Sequence, residues 1–251
     1  MKNQFHFLFM KNPKQTFYLP EKLGYSCVWD EVLKGFHIQI PNGQLFYSEH
    51  FFSEKISNRS IDYFLENKVN DWKNIDWKNI REDQLDNFPF NNIQWSHQRI
   101  KMYGKQIYSP RFSAWYGDEG KKYAYSGLNL TPNPWNEGLT YIKNQIEPIA
   151  QVKFNSVLLN WYRDGDDYMG WHADDEKELG PNPVIASVNF GAQRRFLLRR
   201  KDDHQEVIEI ALKHGSLLIM RGEIQHHWKH QVPKEKKIKE HRLNLTFRVI
   251  V

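Results

Sequence analysis

A succession of short β-forming runs, 156–162, 184–190, 195–200, 207–212, 216–220 and 243–251, fills the last hundred residues of this chain. Runs this short, parted by turn-forming stretches, predict an antiparallel sandwich or barrel. Upstream, Ile56, Ile61, Phe64 and Leu65 fall at helical spacing within 53–67. Leu139, Ile142, Ile146 and Ile149 do so after Thr131-Pro132-Asn133-Pro134, with Pro148 marking the helix end. Aromatic alternation over 36–46 around Asn42-Gly43 predicts a β-hairpin. Two helices followed by many strands give a mainly β, α+β chain, a jelly roll backed by helices, with residues 1–35 as an N-terminal extension to a domain spanning 36–251.

The single cysteine, Cys27, excludes a disulfide framework and a cysteine-rich zinc site. It fits a reducing compartment, the cytosol or, in a eukaryote, the nucleus. With no signal peptide and no long apolar run, the chain reads as one soluble domain, monomeric and free of membranes. Charge is uneven: residues 191–251 carry 14 basic and 7 acidic side chains. A positive C-terminal quarter suits a polyanion, or simply a solvated face.

The chemistry begins at His172-Ala173-Asp174, followed 56 positions later by His230. On an extended segment residues i and i+2 face the same way, so His172 and Asp174 address one cavity. Two imidazoles and a carboxylate leave coordination positions open, as non-haem Fe(II) oxygenases require, whereas zinc more often takes three histidines or cysteines. A chain with 11 histidines also makes such pairs by chance; His204-Gln205-Glu206 lies in a charged loop-like run and is assigned no metal. The terminal run Arg242-Leu243-Asn244-Leu245-Thr246-Phe247-Arg248 alternates polar and apolar positions. Two arginines on one buried face need an anion, and a dicarboxylate answers both; on a half-exposed edge strand they would be solvated instead. Asn160 and Tyr162 repeat the i, i+2 pattern in an apolar strand and would meet the same carboxylate, or a backbone partner.

Taken in order, Asn160-x-Tyr162, His172-x-Asp174-x-Glu176, His230 and Arg242-x-Asn244-Leu245-Thr246-Phe247-Arg248 resemble the AlkB family of dioxygenases, nearest to its members that repair alkylated DNA. The similarity is dense from about residue 99 onward. It implies a double-stranded β-helix core over about 154–251, a nucleotide-recognition region over about 95–130, and Fe(II) with 2-oxoglutarate and O2 as cosubstrates. His172, Asp174 and His230 would hold the iron, with His226 and His227 outside the ligand set. Arg242, Tyr162 and Asn160 would grip the distal carboxylate of 2-oxoglutarate, and Arg248 with Asn244 would steady its chelating end.

The resemblance also implies a substrate: N-alkylated bases in DNA, such as 1-methyladenine and 3-methylcytosine, flipped out of the stack. The same core chemistry on RNA or a protein side chain is the alternative. Tyr123, Tyr125 and Ser126 match the segment lining the base pocket, and Tyr103 matches a wedge that fills the vacated space. Glu176 matches an acidic position facing the exocyclic amine, while its neighbour Asp175 turns toward solvent or DNA. Either Arg194 or Arg195 stands where a basic residue approaches substrate. Arg111 and the lysines Lys234, Lys236, Lys237 and Lys239 are expected phosphate contacts.

Overall fold

The alternation of polar and apolar residues in the C-terminal runs does produce strands, and it produces them in two layers. The computed structural model describes residues 15–68, 75–76, 89–102, 105–121, 123–125 and 128–251, with backbone alone for 100–102, 105–106, 123–125 and 128–130. In chain order the strands are β1 (Ser26–Asp30), β2 (Gly35–Ile40), β3 (Gly43–Ser48), β4 (Arg99–Met102), β5 (Lys105–Tyr108), β6 (Phe112–Gly117), β7 (Tyr123–Tyr125) and β8 (Leu128–Leu130). They continue as β9 (Ser156–Tyr162), β10 (Met169–His172), β11 (Ile185–Gly191), β12 (Arg194–Arg200), β13 (Val207–Leu212), β14 (Ser216–Arg221), β15 (Trp228–Val232) and β16 (Arg242–Arg248). Helices α1 (Glu54–Leu65) and α2 (Glu137–Ala150) precede β9, and a single turn, α3 (Ile224–His227), leads into β15.

An eight-stranded sheet runs β1-β2-β3-β14-β11-β16-β9-β6, and a four-stranded sheet runs β10-β15-β12-β13. The described pairings within both are antiparallel, which makes the fold the jelly roll expected from sequence. Helices α1 and α2 cover one face of the larger sheet. Beneath them, Leu139, Ile142 and Ile146 pack with Val157, Leu159, Val188, Leu245 and Phe247 in one apolar cluster. A second cluster lies between the sheets, joining Ile185, Leu218 and Met220 to Phe196, Leu198, Ile210 and Trp228. Strand β16 sits between β11 and β9 in the middle of the sheet, so its odd residues serve the helix-side core and its even residues face the inter-sheet space. An edge strand with solvated arginines is thereby excluded.

Local chemistry places the helix starts. Ser53 caps α1 by accepting from the Ile56 N–H, and Asn136 caps α2 by accepting from the Leu139 N–H. Pro148 sits inside α2, two residues before its end, and Gln151 closes the helix in the left-handed region at φ +56°. The β2–β3 hairpin turns on Pro41 and Asn42, with Asn42 at φ +62° and Gly43 already paired to Ile40. Proline followed by a left-handed residue suits a type II turn, one residue earlier than the Asn42-Gly43 placement from sequence.

The extension boundary at residue 35 is also corrected. Strand β1 pairs with β2 at the sheet edge, and Phe17 and Tyr25 are buried in the inter-sheet cluster, with Phe17 edge-on to Phe36 at 5.4 Å. Glu206 accepts from Tyr25 and Lys22, pinning this segment to the β12–β13 loop and giving that glutamate a role without metal. Aromatic burial outweighs the absence of a regular pattern before residue 26. Among the described residues no helix is long and apolar enough to cross a membrane.

Candidate metal and cosubstrate site

Strands β10 and β15 put His172 opposite His230, their rings 4.1 Å apart, after a register shift that ends the regular ladder of β10. Asp174 follows two residues later. The ligand atoms of His172, Asp174 and His230 all lie within 4.8 Å of one another, at one end of the inter-sheet space. His172 Nδ1 lies 2.9 Å from the Gly170 carbonyl, which assigns its proton there and leaves Nε2 with a lone pair, 3.7 Å from Asp174 Oδ1.

Charge at the site is arranged for ligation. Burial, then the adjacent His172, pushes His230 down to about 3. Burial likewise lowers His172, so both imidazoles are neutral near pH 7 and available as donors. Burial alone would raise the Asp174 carboxyl, but Arg248, His230 and His172 outweigh it and hold the group well below the usual carboxylate range. Arg248 donates to Asp174 Oδ2 from Nη2 at 2.8 Å and from Nε at 3.3 Å, leaving Oδ1 toward the histidines.

The rest of the pocket is short of negative charge. Arg111, Arg242 and Arg248 line it with Asp174 as their sole acidic companion among the lining residues. Arg242 is 1% exposed and donates from Nη2 to Asn189 Oδ1 at 2.6 Å, while its Nε and Nη1 have no hydrogen-bond partner. Its guanidinium lies 4.8 Å from the Tyr162 ring centroid, and burial pushes its pKa down to about 10. Orphaned buried donors on a cation are costly, and a ligand carboxylate is the group that satisfies them. Donor set and orphaned guanidinium together fit a metal ion beside a small dicarboxylate.

A family model described as the 2OG-Fe(II) oxygenase superfamily matches residues 78–248, which span every one of these side chains. The chain belongs to that superfamily. Human "DNA oxidative demethylase ALKBH2" is 44% identical to this superfamily member over 160 residues, 61% of each chain. Bovine "Alpha-ketoglutarate-dependent dioxygenase alkB homolog 3" is 46% identical over 150 residues, 56% of this chain and 52% of its own. Arabidopsis thaliana "DNA oxidative demethylase ALKBH2" is 36% identical over 187 residues, 64% and 59%. The chain thus spans between half and two thirds of the length of these relatives.

Within this superfamily member, the structure gathers Asn160, Tyr162, His172, Asp174, His230, Arg242, Asn244 and Arg248 around one pocket. Two roles shift. Arg248 fastens Asp174, and Asn244 spends its amide on Ser187 Oγ at 2.8 Å and Asn189 Oδ1 at 3.2 Å while accepting from Thr246. Arg111 is corrected from a phosphate contact to an interior residue: it is 6% exposed and donates from Nε to Asn160 Oδ1 at 2.7 Å. Arg194 is corrected likewise. It is 1% exposed, with its donors taken by Glu235 and the carbonyls of Asp164, Asp167 and Pro233, so it anchors two loops.

Toward the outside, Arg195 pairs with Glu209 at 2.7 Å, and exposed Asp175 pairs with Lys201 at 3.2 Å. Glu176 is half-buried at the head of a 3-10 turn. Lys234, Lys236, Lys237 and Lys239 are exposed in the β15–β16 loop. His226 meets the Pro181 carbonyl and His227 faces Glu223, both outside the ligand cluster. Tyr103 and Ser126, and the side chains of Tyr123 and Tyr125, lie outside the described residues. Two contributors went unread in the sequence, Asn189 and Gln225. Ser187-x-Asn189 in β11 carries the same i, i+2 signal as Asn160-x-Tyr162, whereas Gln225 in a one-turn helix carries none.

Proposed function

We propose that this chain is an oxidative demethylase of N-alkylated bases in DNA, such as 1-methyladenine and 3-methylcytosine. The observation that carries it is the convergence of a His-Asp-His cluster and a buried, part-unpartnered Arg242 in one pocket. DNA as the target rests on the similarity to relatives named DNA oxidative demethylases and on the exposed lysines of the β15–β16 loop. When bound, Fe(II) with 2-oxoglutarate and O2 supplies the oxidation of the N-methyl carbon, with succinate, CO2 and formaldehyde as products.

The side chains do the holding. His172, Asp174 and His230 hold the metal, each oriented by a neighbour or by burial. Arg242, positioned by Asn189 and the Tyr162 ring, takes the distal carboxylate of 2-oxoglutarate. Arg248 keeps Asp174 ionised and pointed. On the substrate side Tyr123 and Tyr125 contact and stack the flipped base, Ser126 borders it, Glu176 faces its exocyclic amine and Tyr103 fills the gap left in the duplex. Lys234, Lys236, Lys237 and Lys239 meet phosphates.

Formaldehyde release from methylated single-stranded, duplex and RNA oligonucleotides, dependent on Fe(II) and 2-oxoglutarate, is the test, with Asp174→Ala as the inactive control. Turnover on RNA alone would move the target, and no turnover by metal-loaded wild type on any oligonucleotide would remove the proposal. Full duplex activity in Tyr103→Ala would remove the wedge.

A further inference from the structure

Asp174 lies beyond the end of β10, where the strand ladder no longer places it. Arg248 accounts for its carboxylate. Its backbone is placed by Gln225, whose Oε1 accepts the Asp174 N–H at 3.0 Å. Gln225 is 1% exposed, in the turn α3 that leads directly into the strand bearing His230. Its Nε2 faces Met220 Sδ at 3.7 Å, a weak acceptor, so the bond from Asp174 is the strong one that fixes the amide. Lys201 fastens the same two segments from outside, donating to the Gln225 carbonyl at 2.9 Å and to Asp175 at 3.2 Å.

We infer that Gln225 is a positioning residue for the metal centre, a side-chain strut that sets the distance between the Asp174 segment and the strand carrying His230. The inference rests on reading His172, Asp174 and His230 as metal ligands. A backbone N–H released from Gln225 lets Asp174 rotate away from the histidines even while Arg248 holds its carboxylate. The metal then meets two donors well placed and one not.

The test is Mn(II) affinity, read from the electron paramagnetic resonance of free Mn(II), together with thermal melting of the metal-free protein. Gln225→Met keeps length and apolarity but loses the acceptor, and should weaken Mn(II) binding by about 10- to 100-fold. Gln225→Glu keeps an acceptor oxygen for the Asp174 N–H and should recover most of that loss. Unchanged Mn(II) affinity in Gln225→Met overturns the inference. So does an equal loss in both variants that tracks an equal fall in metal-free melting temperature, because that pattern belongs to a structural residue. Wild type that fails to bind Mn(II), indistinguishable from His172→Ala, defeats the metal-centre reading itself and takes this inference with it.

Discussion

Arg242→Met removes a guanidinium from the inter-sheet pocket and leaves an unbranched apolar chain in its place. In the ligand-free protein that guanidinium donates to Asn189 and lies against Tyr162, with Nε and Nη1 unpartnered, and Asn189 Oδ1 keeps a second donor in Asn244. Losing the Asn189 bond costs about 1 to 2 kcal/mol, and removing a buried cation with unsatisfied donors returns a comparable amount. Ligand-free stability should therefore stay level or rise. Binding should change far more. Two hydrogen bonds from a cation to a carboxylate contribute about 1.5 to 3 kcal/mol each. Their loss amounts to roughly 3 to 6 kcal/mol, which raises the Kd for 2-oxoglutarate by roughly a hundredfold to ten-thousandfold. Calorimetric titration of Mn(II)-loaded protein with 2-oxoglutarate, without O2, measures the change in binding; thermal melting of the metal-free variant measures the change in stability. A Kd close to wild type, or a marked loss of metal-free stability with binding intact, would refute the assignment of Arg242 to the cosubstrate.

Phe247 is fully buried against Phe154 and Trp135, so Phe247→Ala should cost about 3 to 5 kcal/mol in denaturant unfolding while leaving the 2-oxoglutarate Kd of the folded protein unchanged. Arg194→Ala should cost a similar amount, about 3 to 5 kcal/mol, because it strands Glu235 and the loop carbonyls, and it too should spare cosubstrate binding. The unfolded chain protonates His230 near 6.5 and the folded metal-free protein does so near 3. Metal-free stability is then complete above 6.5 and declines as pH falls toward 3, with Asp174 adding to the decline below its ordinary 3.8. A melting temperature that stays flat across that window would contradict neutral buried imidazoles. Salt dependence of DNA binding should lose about one unit of slope per alanine placed at Lys236 or Lys237 and none in Arg111→Gln, because an interior arginine releases no phosphate counterion; a shallower slope in Arg111→Gln would restore it as a phosphate contact.

Much of the pocket is legible along single strands. In β16 the alternation from Arg242 to Arg248 separates a polar face from an apolar one whatever the strand pairs with, and Asn160-x-Tyr162 obeys the same two-residue period, whereas Asp174 lies past the end of β10 and is held beside His172 by Arg248 and Gln225. Arg111 shows where that legibility stops. Following Pro110 in a basic, aromatic stretch it reads as a surface cation, yet the β6–β9 pairing turns it inward onto Asn160. Arg194 and Arg195 are equivalent as neighbours in sequence, and β12 sends one into the interior and the other to solvent.

By itself, then, the order of residues determined which side chains could share a face and what chemistry those faces hold: two imidazoles with a carboxylate, and two arginines on a strand with room for an anion. These are properties of backbone period and side-chain charge, both local. Tertiary structure alone decided that β16 lies in the interior of its sheet, that Arg242 finds Asn189 while keeping two donors open, that Gln225 reaches Asp174, and that Phe17 and Tyr25 help close the core. Those facts depend on sheet order and on contacts between segments far apart in the chain, which no local pattern encodes.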